Sequence, residues 1–181
     1  MSRLIALAGR AGSGKNTVAR LLGAREISFA EPLKRICQEV FAFSDAQMFG
    51  PSEERNRPDP RYPRADGQCL TPRYALQTLG TEWGRNCFDG VWADLGVRRA
   101  LEALALGRDV VITDCRFVNE AKAVRLAGGE VWRIYRPEAE AVASTHPSEM
   151  EMNTPEFRNL VTREIQNTGT LDQLRDALLQ P

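Results

Sequence analysis

Short apolar runs alternate along this chain with stretches in which apolar residues recur every three or four positions. Leu4-Ile5-Ala6-Leu7-Ala8 is a continuous apolar run of strand length, and Val18-Ala19-Arg20-Leu21-Leu22 is suited to a helix. Glu26 to Ala30 predicts a second strand, and Pro32 is well placed near the start of a helix from Leu33 to Phe43. Thr71 as N-cap and Pro72 at the first helical position open another helix to Arg85, with Leu76, Leu79 and Trp83 on one face. Phe88 to Leu106 predicts a helix stopped by Gly107, Asp109 to Asp114 a buried parallel strand, and Asn119 to Ala127 a helix ended by Gly128-Gly129. Glu130 to Arg136 alternates as a strand that Pro137 stops. A last strand is expected near Leu160 to Ile165, and a closing helix from Leu171 to Leu179. Strands alternating with helices predict a three-layer α/β/α sandwich around a central parallel sheet of about five strands.

Two stretches lose this periodicity. Ser44 to Thr71 is punctuated by Gly50, Pro51, Pro58, Pro60, Pro63 and Gly67, and it carries Arg55, Arg57, Arg61 and Arg64. It reads as an ordered loop insertion or a mobile flap, whose arginines form a solvated face more readily than a clamp on an anion. The second, Glu138 to Pro155, is polar and holds His146, the one histidine, with Ser148 and Glu149.

Composition narrows the class. With 181 residues, 43% of them hydrophobic, the chain can bury a substantial core, and a single domain over 1–181 is expected. The 24 basic and 24 acidic residues cancel, which argues against a protein that coats long nucleic acid or an anionic membrane. Cys37, Cys69, Cys87 and Cys115 are far apart with no C-x-x-C pair, so they read as reduced thiols rather than a zinc cluster. No run is long enough for a signal peptide or a bilayer span, and the expectation is a soluble, cytoplasmic protein. The sequence leaves homodimerisation open.

The chemistry lies between the first strand and the first helix, in Gly9-Arg10-Ala11-Gly12-Ser13-Gly14-Lys15-Asn16-Thr17. Three glycines let successive backbone N–H groups turn inward, Lys15 reaches terminal phosphates, and the helix N-terminus adds partial positive charge. Gly12, Ser13, Gly14, Lys15, Asn16 and Thr17 are therefore the expected cradle for the phosphate tail of a nucleoside triphosphate. The hydroxyl comes one residue later than in the common G-K-[ST] form, at Thr17. Asp114, a carboxylate ending a buried strand, is the expected partner of Thr17 in holding Mg2+, partly through water. Lys15, Asp114 and Arg116 are the catalytic candidates. Lys34, Arg73, Gln77, Arg85 and Arg116 are candidates for an acceptor carrying a base and a phosphate. A local structural role is expected for His146.

The series G-x-x-x-S-G-K-[DN]-T, Phe29-Ala30-x-Pro32-Leu33-Lys34, Leu76-Gln77-x-Leu79-Gly80-Thr81-Glu82, Asp114-x-Arg116-x-x-x-Glu120, Arg136-Pro137, His146-x-x-Glu149 and Asn167-x-Gly169-x-Leu171 resembles bacteriophage deoxynucleoside monophosphate kinases. The resemblance spans nearly the whole chain. It implies a P-loop kinase fold and transfer of the γ-phosphoryl group of ATP, with magnesium, to a deoxynucleoside 5′-monophosphate for deoxynucleotide supply. It further implies an acceptor-binding region over 31–86 and a lid over 137–155, with Asn167 helping to frame the adenine and Arg136 near the phosphates or adenine. The insertion looks shorter than its counterpart in the T-even phage enzymes, so base preference does not carry over. A kinase for another acceptor, such as dephospho-coenzyme A or a modified pyrimidine in DNA, and a non-catalytic nucleotide-binding module are the alternatives.

Overall fold

The computed structural model describes residues 2–141 and 150–180. They form two compact units, Met1–Phe29 with Ala93–Pro181 and Ala30–Trp92. In chain order the strands are β1 (Leu4–Ala8), β2 (Arg25–Ile27), β3 (Val110–Cys115), β4 (Glu130–Tyr135) and β5 (Arg163–Gln166). The helices of eight residues or more in the first unit are α1 (Lys15–Leu22), α6 (Val91–Ala105, its first two residues in the second unit), α7 (Val118–Leu126) and the closing helix Leu171–Leu179. The second unit holds α2 (Glu31–Phe41), α3 (Asp45–Phe49), α4 (Ser52–Asn56) and α5 (Pro72–Gln77).

The five strands pair in parallel in the order β2-β3-β1-β4-β5. Side chains on a strand alternate between faces, and an apolar run therefore supplies two cores at once. Leu4, Ala6 and Ala8 pack with Ala100 and Ala103 of α6 and Ala121 and Val124 of α7. Ile5 and Leu7 pack on the opposite side with Val18 and Ala19 of α1 and Leu174 of the closing helix. That is the expected three-layer arrangement. Between the rows Ala6↔Ile112 and Ala8↔Cys115, β3 carries one more residue than β1. This bulge lets Ile112 and Cys115, three positions apart, join the same core, and it re-aims the strand end at Asp114.

In the second unit, Cys37, Phe43, Met48 and Ala75 are the buried core, and Phe41 and Tyr62 pack against it. The 44–71 stretch is not the helix-free loop expected from sequence: it contains α3 and α4, and an antiparallel bridge joins Pro63 to Cys69. Helices of five residues are too short to show a helical period. α3 is set locally, because Ser44 accepts from the Gln47 backbone N–H while the Gln47 side chain accepts from the Ser44 backbone N–H. The insertion arginines are held within the unit. Arg55 donates to Gly50 O, Arg57 pairs with Glu54, Arg61 with Asp59 and Arg64 with Asp66.

The expected helix from Pro72 to Arg85 is α-helical only to Gln77 and continues as a π-helix over Thr78–Arg85. A wider turn opens room for Trp92, whose indole N–H donates to Gly80 O at 2.9 Å. A Cβ at Gly84 would sit 2.4 Å from that indole ring. The changed turn also breaks the expected apolar face: Leu76 and Leu79 pack against the core, whereas Trp83 is 56% exposed. Two strand boundaries move as well, β2 ending at Ile27 and β5 starting only at Arg163.

Candidate active site

The carboxyl end of β1, the central strand, runs into the glycine loop. Gly9, Gly12 and Gly14 have φ of +147°, +81° and +100°, where a side chain is strained, and Ser13 N–H closes a turn onto Arg10 O at 3.1 Å. α1 starts at once, with Val18 N–H donating to Gly14 O. The N–H groups of its first turn have no partner within the helix and carry its positive end, which is what an anion requires. Lys15 is buried and arches back over the loop, donating through Nζ to Gly9 O at 2.6 Å and Arg10 O at 2.8 Å. Asn16 is exposed and Thr17 half-buried.

Asp114 lies at the bulged end of β3, half-buried. One carboxylate oxygen accepts from the Phe29 backbone N–H at 2.8 Å and the other from the Ser28 hydroxyl at 2.6 Å. It thus ties the residues after β2 to the end of β3. The next residue, Arg116, begins a turn in which the buried Glu120 carboxylate accepts from the N–H groups of Arg116 and Phe117 at 2.8 and 3.1 Å. Burial, with Glu120 and Asp114 adding, pushes the Cys115 thiol well above its ordinary pKa, so this cysteine has no thiolate chemistry at neutral pH.

At the end of β4, Arg136 is exposed and pairs with Glu138 at 3.2 Å. Beyond β5, the Asn167 side chain donates through Nδ2 to Ser13 O at 2.8 Å, so the residue expected near adenine bonds the glycine loop itself. Sequence reasoning missed the loop's other tie. Arg10 Nε meets Glu140 at 3.0 Å, and the other oxygen of Glu140 lies 3.5 Å from Arg133, which also faces Glu164 at 3.6 Å. The side chains of Arg10, Glu140 and Arg133 are only 15, 20 and 14% exposed. These charges belong to four segments, and no spacing in the sequence links them. His146 and Glu149 lie outside the described residues.

The second unit carries the remaining candidates. Lys34 stands 4.8 Å from the Phe49 ring centroid, and Arg73 Nε donates to Asn56 Oδ1 at 2.5 Å. Arg85, 13% exposed, pairs with Asp89 at 3.6 Å, and Gln77 is half-buried at the end of α5.

No protein-family model matches the chain. It is similar along its length to solved structures of TT1252 from Thermus thermophilus (TM-score 0.52, 20% identity, 98% of this chain and 94% of the other) and of a dephospho-CoA kinase from Campylobacter jejuni (TM-score 0.51, 14% identity, 98% and 94%). At such identities these structures speak to the fold alone. In sequence the chain is 35% identical, over an alignment 192 positions long, to a protein of Acanthamoeba polyphaga mimivirus named "Putative deoxynucleotide monophosphate kinase", covering 97% of this chain and 94% of the relative. With that similarity over nearly the whole of both chains, the chain belongs to the kinase family of this mimivirus protein.

Proposed function

We propose that the protein transfers the γ-phosphoryl group of ATP to a deoxynucleoside 5′-monophosphate, giving a deoxynucleoside diphosphate and ADP. The observation that carries this reading is the glycine loop at the carboxyl end of β1, with Lys15 folded over it and the α1 N-terminus behind it, in a relative of a deoxynucleotide monophosphate kinase. Open space beside the loop supports the reading, since a Cβ at Gly12 would meet nothing within 4 Å.

Phosphoryl transfer asks the protein mainly to position groups and stabilise charge. Lys15 has its ammonium beside the loop and meets the charge that spreads over the transferring phosphoryl. Thr17 and Asp114 are hard oxygen donors, the kind that magnesium takes. Both Asp114 oxygens already accept hydrogen bonds, which favours a water-mediated role. Bound magnesium supplies charge neutralisation across the phosphates. Lys34, Arg73, Gln77 and Arg85, all in the second unit, are proposed to recognise the acceptor, and Arg116 in the first unit is proposed as a catalytic charge, guanidinium groups suiting a phosphate by their paired N–H donors.

The test is direct. Purified protein is incubated with ATP, magnesium and each common deoxy- and ribonucleoside monophosphate, and diphosphates are resolved by chromatography. Diphosphate from one or more deoxynucleotides is expected; none from any monophosphate overturns the proposal.

A further inference from the structure

Asn167 is held at both ends. Its backbone N–H donates to Tyr135 O at 2.8 Å, fixing the first residue after β5 to the last of β4. Its side chain then reaches Ser13 O, 154 residues away. A carbonyl only accepts, so the amide must turn its NH2 toward Ser13. The contact also shapes Gly14, where a Cβ would lie 2.4 Å from Asn167 Nδ2. Gly14 is thus required twice, by its φ of +100° and by the approach of this amide.

The consequence follows from peptide geometry. Among the described residues there is no cis bond, and in a trans peptide C=O and N–H point in opposite directions. A hydrogen bond that holds Ser13 O toward Asn167 therefore fixes the direction of the Gly14 N–H, one of the donors from which a phosphate loop is built. We infer that Asn167 is a positioning residue for the phosphate loop: its amide locks the Ser13–Gly14 peptide and thereby presets the loop for the phosphates of the nucleotide rather than for its base. This rests on the nucleotide-binding reading above. Without the lock, the peptide is free to rotate and binding must order it, which weakens the grip on phosphate.

The experiment compares affinities of the intact protein for inorganic tripolyphosphate and for adenosine. Calorimetry is run on wild type, Asn167→Leu, which keeps the side-chain size without the donor, and Asn167→Ala, with thermal melts to verify folding. In each folded variant, tripolyphosphate affinity should fall about tenfold, the scale of one lost hydrogen bond, while adenosine affinity stays within twofold of wild type. Unchanged tripolyphosphate affinity overturns the inference. So does an equal fall for both ligands, which would mean a base contact or general loosening. Wild-type protein that binds neither tripolyphosphate nor ADP overturns the nucleotide reading as well, and so is told apart from failure of the Asn167 role alone.

Discussion

Lys15 and Glu140 make opposite demands on their surroundings. Lys15 keeps a buried ammonium by donating to two backbone carbonyls of its own loop, where the proposed function needs a positive charge. Lys15→Ala should leave the fold intact and lower kcat by roughly a hundredfold or more, the usual scale for a lost preorganised charge contact of about 3 kcal/mol. Steady-state kinetics on the folded variant checks this, and parental turnover would remove Lys15 from the mechanism. Glu140 is instead the carboxylate shared by Arg10 and Arg133, all three mostly out of water. Glu140→Ala should cost about 1–3 kcal/mol in urea unfolding, because two guanidinium groups lose a charged acceptor together. A surface ion pair would give much less and fade in salt; this loss should persist at 0.5 M NaCl, about the regime in which exposed pairs are screened.

At the scale of elements, two contacts set how helices and turns meet their neighbours. Gly96 in α6 lets the buried Phe29 ring approach so closely that a Cβ there would sit 2.3 Å from it. Helix propensity alone favours alanine over glycine by about 0.8–1 kcal/mol, so Gly96→Ala separates two effects. The clash should win, destabilising by about 1–3 kcal/mol in chemical denaturation. In the second unit, Asp59 joins the turn after α4 to α3. Hydrogen bonds from Arg61 are the largest influence on its carboxyl, outweighing burial, and Gln47 adds another; together they hold its pKa well below the usual carboxylate range. A carboxyl depressed in the folded state contributes stability that is complete above its unfolded value and is lost as pH falls. Acid unfolding of the wild type should therefore include a loss below about pH 4, and Asp59→Asn should flatten that limb. Equal slopes for the two proteins between pH 5 and 2, about the range of carboxyl titration, would refute the role.

For the molecule as a whole, nucleotide binding and folding are linked. ADP at about a hundred times its Kd should raise unfolding free energy by about 2.7 kcal/mol, read as an increase in Tm that magnesium augments; no shift at saturating ADP would argue against a donor site. Much of the first unit was legible in the chain, because apolar runs bounded by glycine and the G-x-x-x-S-G-K-N-T loop are local signals. The continuous apolar run Leu4 to Ala8 was legible as a strand, and the structure packs its alternate residues into two cores. The second unit was harder to read. Five-residue helices carry no period, and the π-helix at Thr78–Arg85 arises because Trp92, several residues further on, needs room beside Gly84. Local sequence determined the sheet, the crossover helices and the loop that marks a kinase. Tertiary structure alone decided that Asn167 bonds Ser13, that Glu140 pairs with Arg10 and that Asp114 ties β3 to the residues after β2. Such partners lie 85 to 154 residues apart, and a hydrogen bond or ion pair depends on where the fold brings two groups, which no periodicity encodes.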